Sequence, residues 1–214
     1  MTAPAVFLDR DGVLNRNVFN PATRAWEAPH HPDDFVLTPG ALPALARLAA
    51  GGFRLFVVSN QPDYALGKAS LEAIAAIHHR LAAQLTAAHV EVDAFYYCYH
   101  HPRGIVPGYS GDCACRKPSP YFLFQAHDSY GIELAASWMV GDRASDIACG
   151  RAAGVRTIRI APAIRRQLRR GKPKTARNQP ILRLMTSRPQ PISFCGKLFT
   201  RASNRRRRQR RKTF

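Results

Sequence analysis

Three short apolar runs, each stopping at a polar side chain, constrain this chain more than any other feature. Ala5-Val6-Phe7-Leu8 stops at Asp9, Phe53 to Val58 stops at Ser59, and Trp138-Met139-Val140 runs through Gly141 into Asp142. Runs this short and this apolar suit strands buried on both faces. Phe95-Tyr96-Tyr97 and Val155 to Ile160 add two more strand candidates. Helical stretches lie between them. Pro39-Gly40 opens an Ala/Leu-rich helix that Gly51-Gly52 ends, and Ser70 can cap a helix running to about His89. Pro120 to Tyr130 reads as a helix ended by Gly131, and Ala144 to Ala153 as one followed by Gly154. Strands alternating with helices predict an α/β fold, a Rossmann-like doubly wound parallel sheet with helices on both faces. Such sheets bind ligands at the carboxyl ends of their strands. Asp9, Ser59 and Asp142 are therefore expected to meet in one crevice.

Charge divides the chain. It carries 32 Lys+Arg and 14 Asp+Glu, a formal charge of +18. Every acidic residue lies before position 161, and residues 161–214 hold 18 of the basic ones, ending in Arg205-Arg206-Arg207-Arg208-Gln209-Arg210-Arg211-Lys212. Like-charge blocks repel and stay solvated. The expectation is a neutral domain over 1–160 followed by a basic, disordered tail over 161–214. Such a tail could bind nucleic acid through phosphates; the favoured reading is plain disorder, or a frameshift or altered stop codon that would give the same abrupt change in composition. No run is long and apolar enough for a transmembrane helix. The start lacks a basic leader and long apolar stretch, so no secretory signal is expected and the anticipated location is cytoplasmic.

The residues at the strand ends are chemically suggestive. Asp9-Arg10-Asp11-Gly12 places two carboxylates two residues apart, with Gly12 free to turn sharply. One carboxylate could attack phosphorus while the other handles the proton. Facing a phosphate, they would require a hard cation, and Mg²⁺ suits oxygen ligands. Asp142, in Gly141-Asp142-Arg143-Ala144-Ser145-Asp146, supplies another carboxylate. Ser59-Asn60 offers a hydroxyl and an amide to phosphate oxygens, and Lys117 a compact positive charge.

Cys98-Tyr99-His100 and Cys113-Ala114-Cys115 bring three thiols and an imidazole near one another in sequence. That is a ligand set for structural Zn²⁺; free or buried cysteines are the alternative. Twelve residues separate His100 from Cys113, among them Pro102, Gly104, Pro107, Gly108 and Gly111. A metal would order a loop with so little core of its own. Cys149 is expected in the core, His101 at the surface, and Cys195 has no evident partner.

Asp-Arg-Asp-Gly, Ser-Asn-Gln, Arg-Lys-Pro and Gly-Asp-Arg-x-x-Asp stand in the order found in the haloacid dehalogenase superfamily of phosphatases, which residues 5–160 resemble. Within it, Cys-x-His followed by Cys-x-Cys-Arg-Lys-Pro is similar to the D-glycero-D-manno-heptose-1,7-bisphosphate 7-phosphatases and to the related histidinol-phosphate phosphatases. The long gap between the two halves looks more like the heptose enzymes. The resemblance implies Asp9 as nucleophile, Asp11 as acid and base, and Mg²⁺ held by Asp9, the Asp11 backbone carbonyl and Asp142. It implies phosphate or substrate contacts from Ser59, Asn60, Gln61, Arg116, Lys117 and Arg143. It also implies zinc on Cys98, His100, Cys113 and Cys115. The substrate would be a small phosphorylated sugar and the protein a monomer, without a membrane partner.

Two stretches depart from the heptose pattern. Leu66 stands where an arginine is expected, with Lys68 two residues on. Residues 16–31, with Asn17, Asn20, Arg24, Trp26, His30 and His31, do not match the loop that would meet the rest of the substrate. Histidinol phosphate, or another small phosphate, is the alternative substrate; a basic nucleic-acid-binding protein on an inactive scaffold is the alternative of another class.

Overall fold

The computed structural model describes residues 2–160 and a strand at Ile192–Phe194. In chain order the strands are β1 (Ala5–Leu8), β2 (Val18–Asn20), β3 (Ala25–Glu27), β4 (Arg54–Asn60), β5 (Ala94–Cys98), β6 (Trp138–Gly141), β7 (Arg156–Arg159) and β8 (Ile192–Phe194). The helices are α1 (Ala41–Ala50), α2 (Leu71–Ala87), α3 (Tyr121–Tyr130) and α4 (Ala144–Ala152). Six strands form one parallel sheet in the order β7-β6-β1-β4-β5-β8, and β2 pairs with β3 as an antiparallel hairpin. The chain passes from β1 to β4 on one side and reaches β6 on the other. This reversal of direction opens a crevice at the strand ends.

Side-chain alternation builds two cores. On one face of β1, β4 and β5, Val6, Leu8, Leu55, Val57, Phe95 and Tyr97 meet the apolar stripe of α2, which includes Ile74, Ile77, Leu81 and Leu85. On the other, Ala5, Phe7, Phe56, Val58, Ala94 and Tyr96 pack with Phe122, Leu123 and Ala126 of α3 and Cys149 of α4. Burying one such Leu or Phe contributes about 1.5–3 kcal/mol, which makes the central strands the rigid frame for the loops at their ends.

The expected helix ends are largely observed. The Ser70 hydroxyl accepts from Ala73 N at 3.1 Å, starting α2, and Gly131 ends α3 at φ 66°. β4 extends two residues further than its apolar run, so Ser59 and Asn60 lie within the strand rather than after it. Two elements were not anticipated. The hairpin β2–β3 occupies the unmatched 16–31 stretch. Within the expected tail, β8 pairs with β5 in the register Phe95↔Ile192, Tyr96↔Ser193, Tyr97↔Phe194; three residues are too few for periodicity to signal a strand. The remainder of 161–214, with Cys195 and the terminal arginines, lies outside the described residues. No helix among the described residues is long and apolar enough to cross a membrane.

Candidate active site

The site is built where β1, β4 and β6 end. The Asp9 amide donates to the Val140 carbonyl at 3.0 Å, carrying the pairing of β1 with β6 one residue beyond the strand. The chain then turns tightly: Leu14 N and Asn15 N both donate to the Arg10 carbonyl, at 2.8 and 3.0 Å. Gly12 makes this turn at φ 84°. A Cβ there would lie 2.3 Å from Asp142 Oδ2, so glycine is what lets Asp142 approach the turn.

Asp9, Asp142 and Asp146 bring carboxylate oxygens within 4.8 Å of one another. Lys117 is buried among them, its Nζ 3.0 Å from Asp9 Oδ1, 2.7 Å from Asp146 Oδ1 and 2.7 Å from the Val58 carbonyl it donates to. Asn60 holds the lysine backbone from both sides: Lys117 N donates to Asn60 Oδ1 and Asn60 Nδ2 donates to Lys117 O, each at 3.0 Å. Asp146 also accepts from Arg143 N at 2.9 Å, fixing the start of α4. Burial pushes the Asp9 carboxyl above its usual range; Lys117 opposes this, and Asp146 and Asp11 add to it. Burial and then Asp9 push Asp142 to about 6, against Arg143. Asp142 Oδ1 is buried with no hydrogen-bond partner among the described residues. Two carboxyls held against ionisation and one orphaned oxygen are the condition a hard divalent cation relieves, and the all-oxygen donor set fits Mg²⁺.

The Asp11 side chain is not part of that cluster. Its carboxylate accepts from Arg10 Nε (3.2 Å) and Nη2 (3.1 Å), Asn15 Nδ2 (2.9 Å) and Gln61 Nε2 (2.6 Å). Burial raises its pKa, but Arg10, Asn15 and Gln61 outweigh burial and leave it lowered.

These groups open into a cavity of about 230 Å³. Asp9, Asp11, Ser59, Asn60, Arg116, Lys117 and Arg143 all line it. Gln61 does not; its amide is spent on Asp11, on Ser59 Oγ (3.0 Å) and on Arg10. Leu66 and Lys68 line it as well, as do Trp26 and Glu27 of the hairpin. Lys68 Nζ reaches Glu27 Oε1 at 3.2 Å, and His30 Nε2 lies 3.3 Å from Asp63 Oδ2. His101 also faces this cavity rather than only the outer surface.

Cys98, His100, Cys113 and Cys115 also converge, their ligand atoms within 4.8 Å of one another. Cys113 Sγ stands 3.5 Å from both Cys98 Sγ and Cys115 Sγ, and Cys115 Sγ 3.9 Å from His100 Nδ1. Disulfide sulfurs lie at about 2.05 Å, so these are separate thiols. Ligands at about 2.3 Å from a tetrahedral centre stand some 3.8 Å apart, close to the observed spacing. Hydrogen bonding from Cys115 pulls the Cys98 thiol down to about 6, against its burial. The group can therefore hold a metal. Arg116 follows it directly and donates from Nη1 to the His100 carbonyl at 3.1 Å. Cys149 is buried in the core, as expected.

Sequence reasoning passed over Asp146 and Arg10 as site residues. The first was legible as an acid four residues after Asp142, at the third position of α4. The second carried no signal, since an arginine between two aspartates reads as solvated.

A model of the HAD-hydrolase-like family matches residues 114–182. The chain is 35% identical over 178 residues to a D-glycero-beta-D-manno-heptose-1,7-bisphosphate 7-phosphatase of Yersinia pestis, covering 83% of this chain and 87% of that protein. It is 36% identical over 174 residues to the protein of that name from Escherichia coli K12, covering 81% and 83%. The D,D-heptose 1,7-bisphosphate phosphatase of B. bronchiseptica, solved with magnesium and phosphate, superposes with a TM-score of 0.63 at 28% identity, covering 80% of this chain and 89% of that one. The similarity does not stop near Ile160 as expected. The family match runs to residue 182, and a 178-residue alignment cannot fit within residues 1–160.

Proposed function

This chain belongs to the heptose-1,7-bisphosphate 7-phosphatase family of haloacid dehalogenase-like phosphatases, and we propose that it removes the 7-phosphate of a D-glycero-D-manno-heptose 1,7-bisphosphate through an aspartyl-phosphate. The observation that carries this reading is that Asp9, Asp11 and Lys117 line one cavity.

An Asp9 carboxylate oxygen attacks the phosphorus, and the bond from phosphorus to the sugar oxygen breaks. Asp11 gives that oxygen its proton. The Asp11 carboxylate then takes a proton from water, whose oxygen attacks the phosphorus and releases Asp9. Arg10, Asn15 and Gln61 hold the Asp11 pKa down; the incoming phosphate, a negative charge beside it, favours the protonated form it needs first. Lys117 neutralises the transferring phosphoryl group, and Ser59 offers it a hydroxyl. Positioning and charge neutralisation are most of what phosphoryl transfer requires. Asp9, Asp142 and the Asp11 main-chain carbonyl would hold Mg²⁺, which when bound neutralises phosphate charge. Zinc on the three cysteines and His100 would fix the backbone that carries Arg116 and Lys117 toward the substrate.

Phosphate release from heptose 1,7-bisphosphate, measured against a panel containing other sugar phosphates and histidinol phosphate, tests the substrate. Preference for histidinol phosphate would overturn the assignment. Asp9→Asn is expected to cost at least about 10³-fold in kcat while leaving the circular dichroism spectrum unchanged; full activity in that variant would sink the mechanism.

A further inference from the structure

Arg10 lies between the two aspartates of the site yet is 0% exposed and does not line the cavity. Burying a guanidinium costs several kcal/mol; Nη1 has no hydrogen-bond partner among the described residues, so the partners of Nε and Nη2 indicate what it is for. Nε and Nη2 grip both oxygens of Asp11. Nη2 also donates to Gln61 Oε1 at 2.6 Å, while Gln61 Nε2 donates back to Asp11 Oδ2. Asp11, Arg10 and Gln61 thus form a closed ring of hydrogen bonds. Behind it, the guanidinium carbon lies 5.5 Å from the centre of the Tyr97 ring. The Tyr97 hydroxyl interacts electrostatically with the guanidinium and meets His78 Nδ1 of α2 at 3.1 Å. His78 is itself fixed edge-on against Phe95, with ring centres 4.7 Å apart. The arginine is therefore anchored through β5 to the central core of α2.

We propose that Arg10, braced by Tyr97 and His78, is the positioning residue for Asp11, fixing the direction in which its carboxyl meets the leaving oxygen. This rests on the reading of Asp11 as the acid and base. A planar fork that binds both carboxylate oxygens removes rotation about the carboxyl, which a point charge does not. Proton delivery to a poor leaving group depends on that direction, whereas departure of a good one does not.

The test compares kcat/KM, which reports steps up to release of the alcohol, for an alkyl and an aryl phosphate. The alkyl substrate is heptose 1,7-bisphosphate or, should the substrate assignment fail, the sugar phosphate hydrolysed fastest; the aryl substrate is p-nitrophenyl phosphate. Arg10→Lys is expected to lower kcat/KM for the alkyl phosphate by about 10²-fold or more, with KM little changed, and for the aryl phosphate by less than about fivefold. Tyr97→Phe, which deletes a single oxygen, should show the same selectivity at about tenfold and stands in if Arg10→Lys fails to fold. Equal loss on both substrates in whichever variants fold would make Arg10 a structural residue and overturn the proposal. Asp11→Asn separates the two failures. Selectivity there without selectivity at Arg10 or Tyr97 defeats this proposal alone; no selectivity at Asp11 defeats the acid role and the proposal with it.

Discussion

Lys117 Nζ stands 3.0 Å from Asp9 Oδ1, both groups buried. The pair is one edge of a buried charge cluster in which three carboxylates converge and one ammonium is shared by two of them. The cluster is tolerable only because each charge has a partner or awaits a cation.

Removing the ammonium should therefore cost more than one contact. Burial disfavours the Lys117 charge, but Asp9 and Asp146 outweigh burial and raise its pKa. Lys117→Met leaves those two carboxylates uncompensated and is expected to cost about 3–5 kcal/mol of stability, read from the urea midpoint. Activity should fall by at least about 10²-fold. Lys117→Arg should not restore it, because a planar fork cannot serve Asp9, Asp146 and the Val58 carbonyl from one point. A fully active arginine variant would show that charge alone matters.

Asp142 gives the site a pH dependence with a definite sign. Its folded pKa of about 6 lies above the unfolded value of 3.8. The folded metal-free chain thus holds this proton more tightly, and the stability it contributes is lost as pH rises through about 6. A divalent cation competes for the same carboxylate. The increase in Tm produced by saturating Mg²⁺ should accordingly be larger at pH 7.5 than at pH 5. An increase that does not vary with pH would remove Asp142 from the cation site.

The thiol cluster makes a compositional prediction. Elemental analysis of undenatured protein is expected to find one zinc per chain. Cys113→Ser should lower that content, lower Tm and reduce activity together, since Arg116 and Lys117 follow directly on the last ligand. Zinc at full occupancy in that variant, or none in the wild type, would count against the assignment.

Glycine at 12 is required twice, by its φ of 84° and by the approach of Asp142 Oδ2 to within 2.3 Å of where a Cβ would stand. Gly131 shares the positive φ but has no described residue within 4 Å of its Cβ position. Gly131→Ala should cost only the backbone strain, about 1 kcal/mol, with normal turnover. Gly12→Ala should cost more and also raise the Mg²⁺ concentration needed for half-maximal activity, because Asp142 must move. Identical behaviour of the two variants in stability and Mg²⁺ dependence would show that crowding at Gly12 is unimportant.

The strand ends were legible because burial on both faces demands an unbroken apolar run, and a polar residue at its end stands out. Asp9, Ser59 and Asp142 were found that way, and the cysteine cluster by spacing. The hairpin Val18–Glu27 escaped because its strands are three residues each, with Phe19 and Trp26 left half exposed. β8 escaped for the same reason of length, inside a stretch whose charge argued for a solvated tail. Gln61 was expected at the substrate and instead spends its amide behind Asp11. Nothing local distinguishes a glutamine facing a cavity from one facing a buried arginine.

What the chain's own order of residues determined is which chemical groups stand at the ends of which strands, since strand and helix periods follow from side-chain type alone. What only the tertiary structure decided is how those groups are shared. Arg10 was withdrawn from solvent to grip Asp11, Asp146 joined Asp9 around one lysine, and one Asp142 oxygen was buried without a hydrogen bond from any described residue. Each depends on the direction of a side chain across elements distant in sequence, where burial turns a neighbouring charge from a screened neighbour into a dominant one.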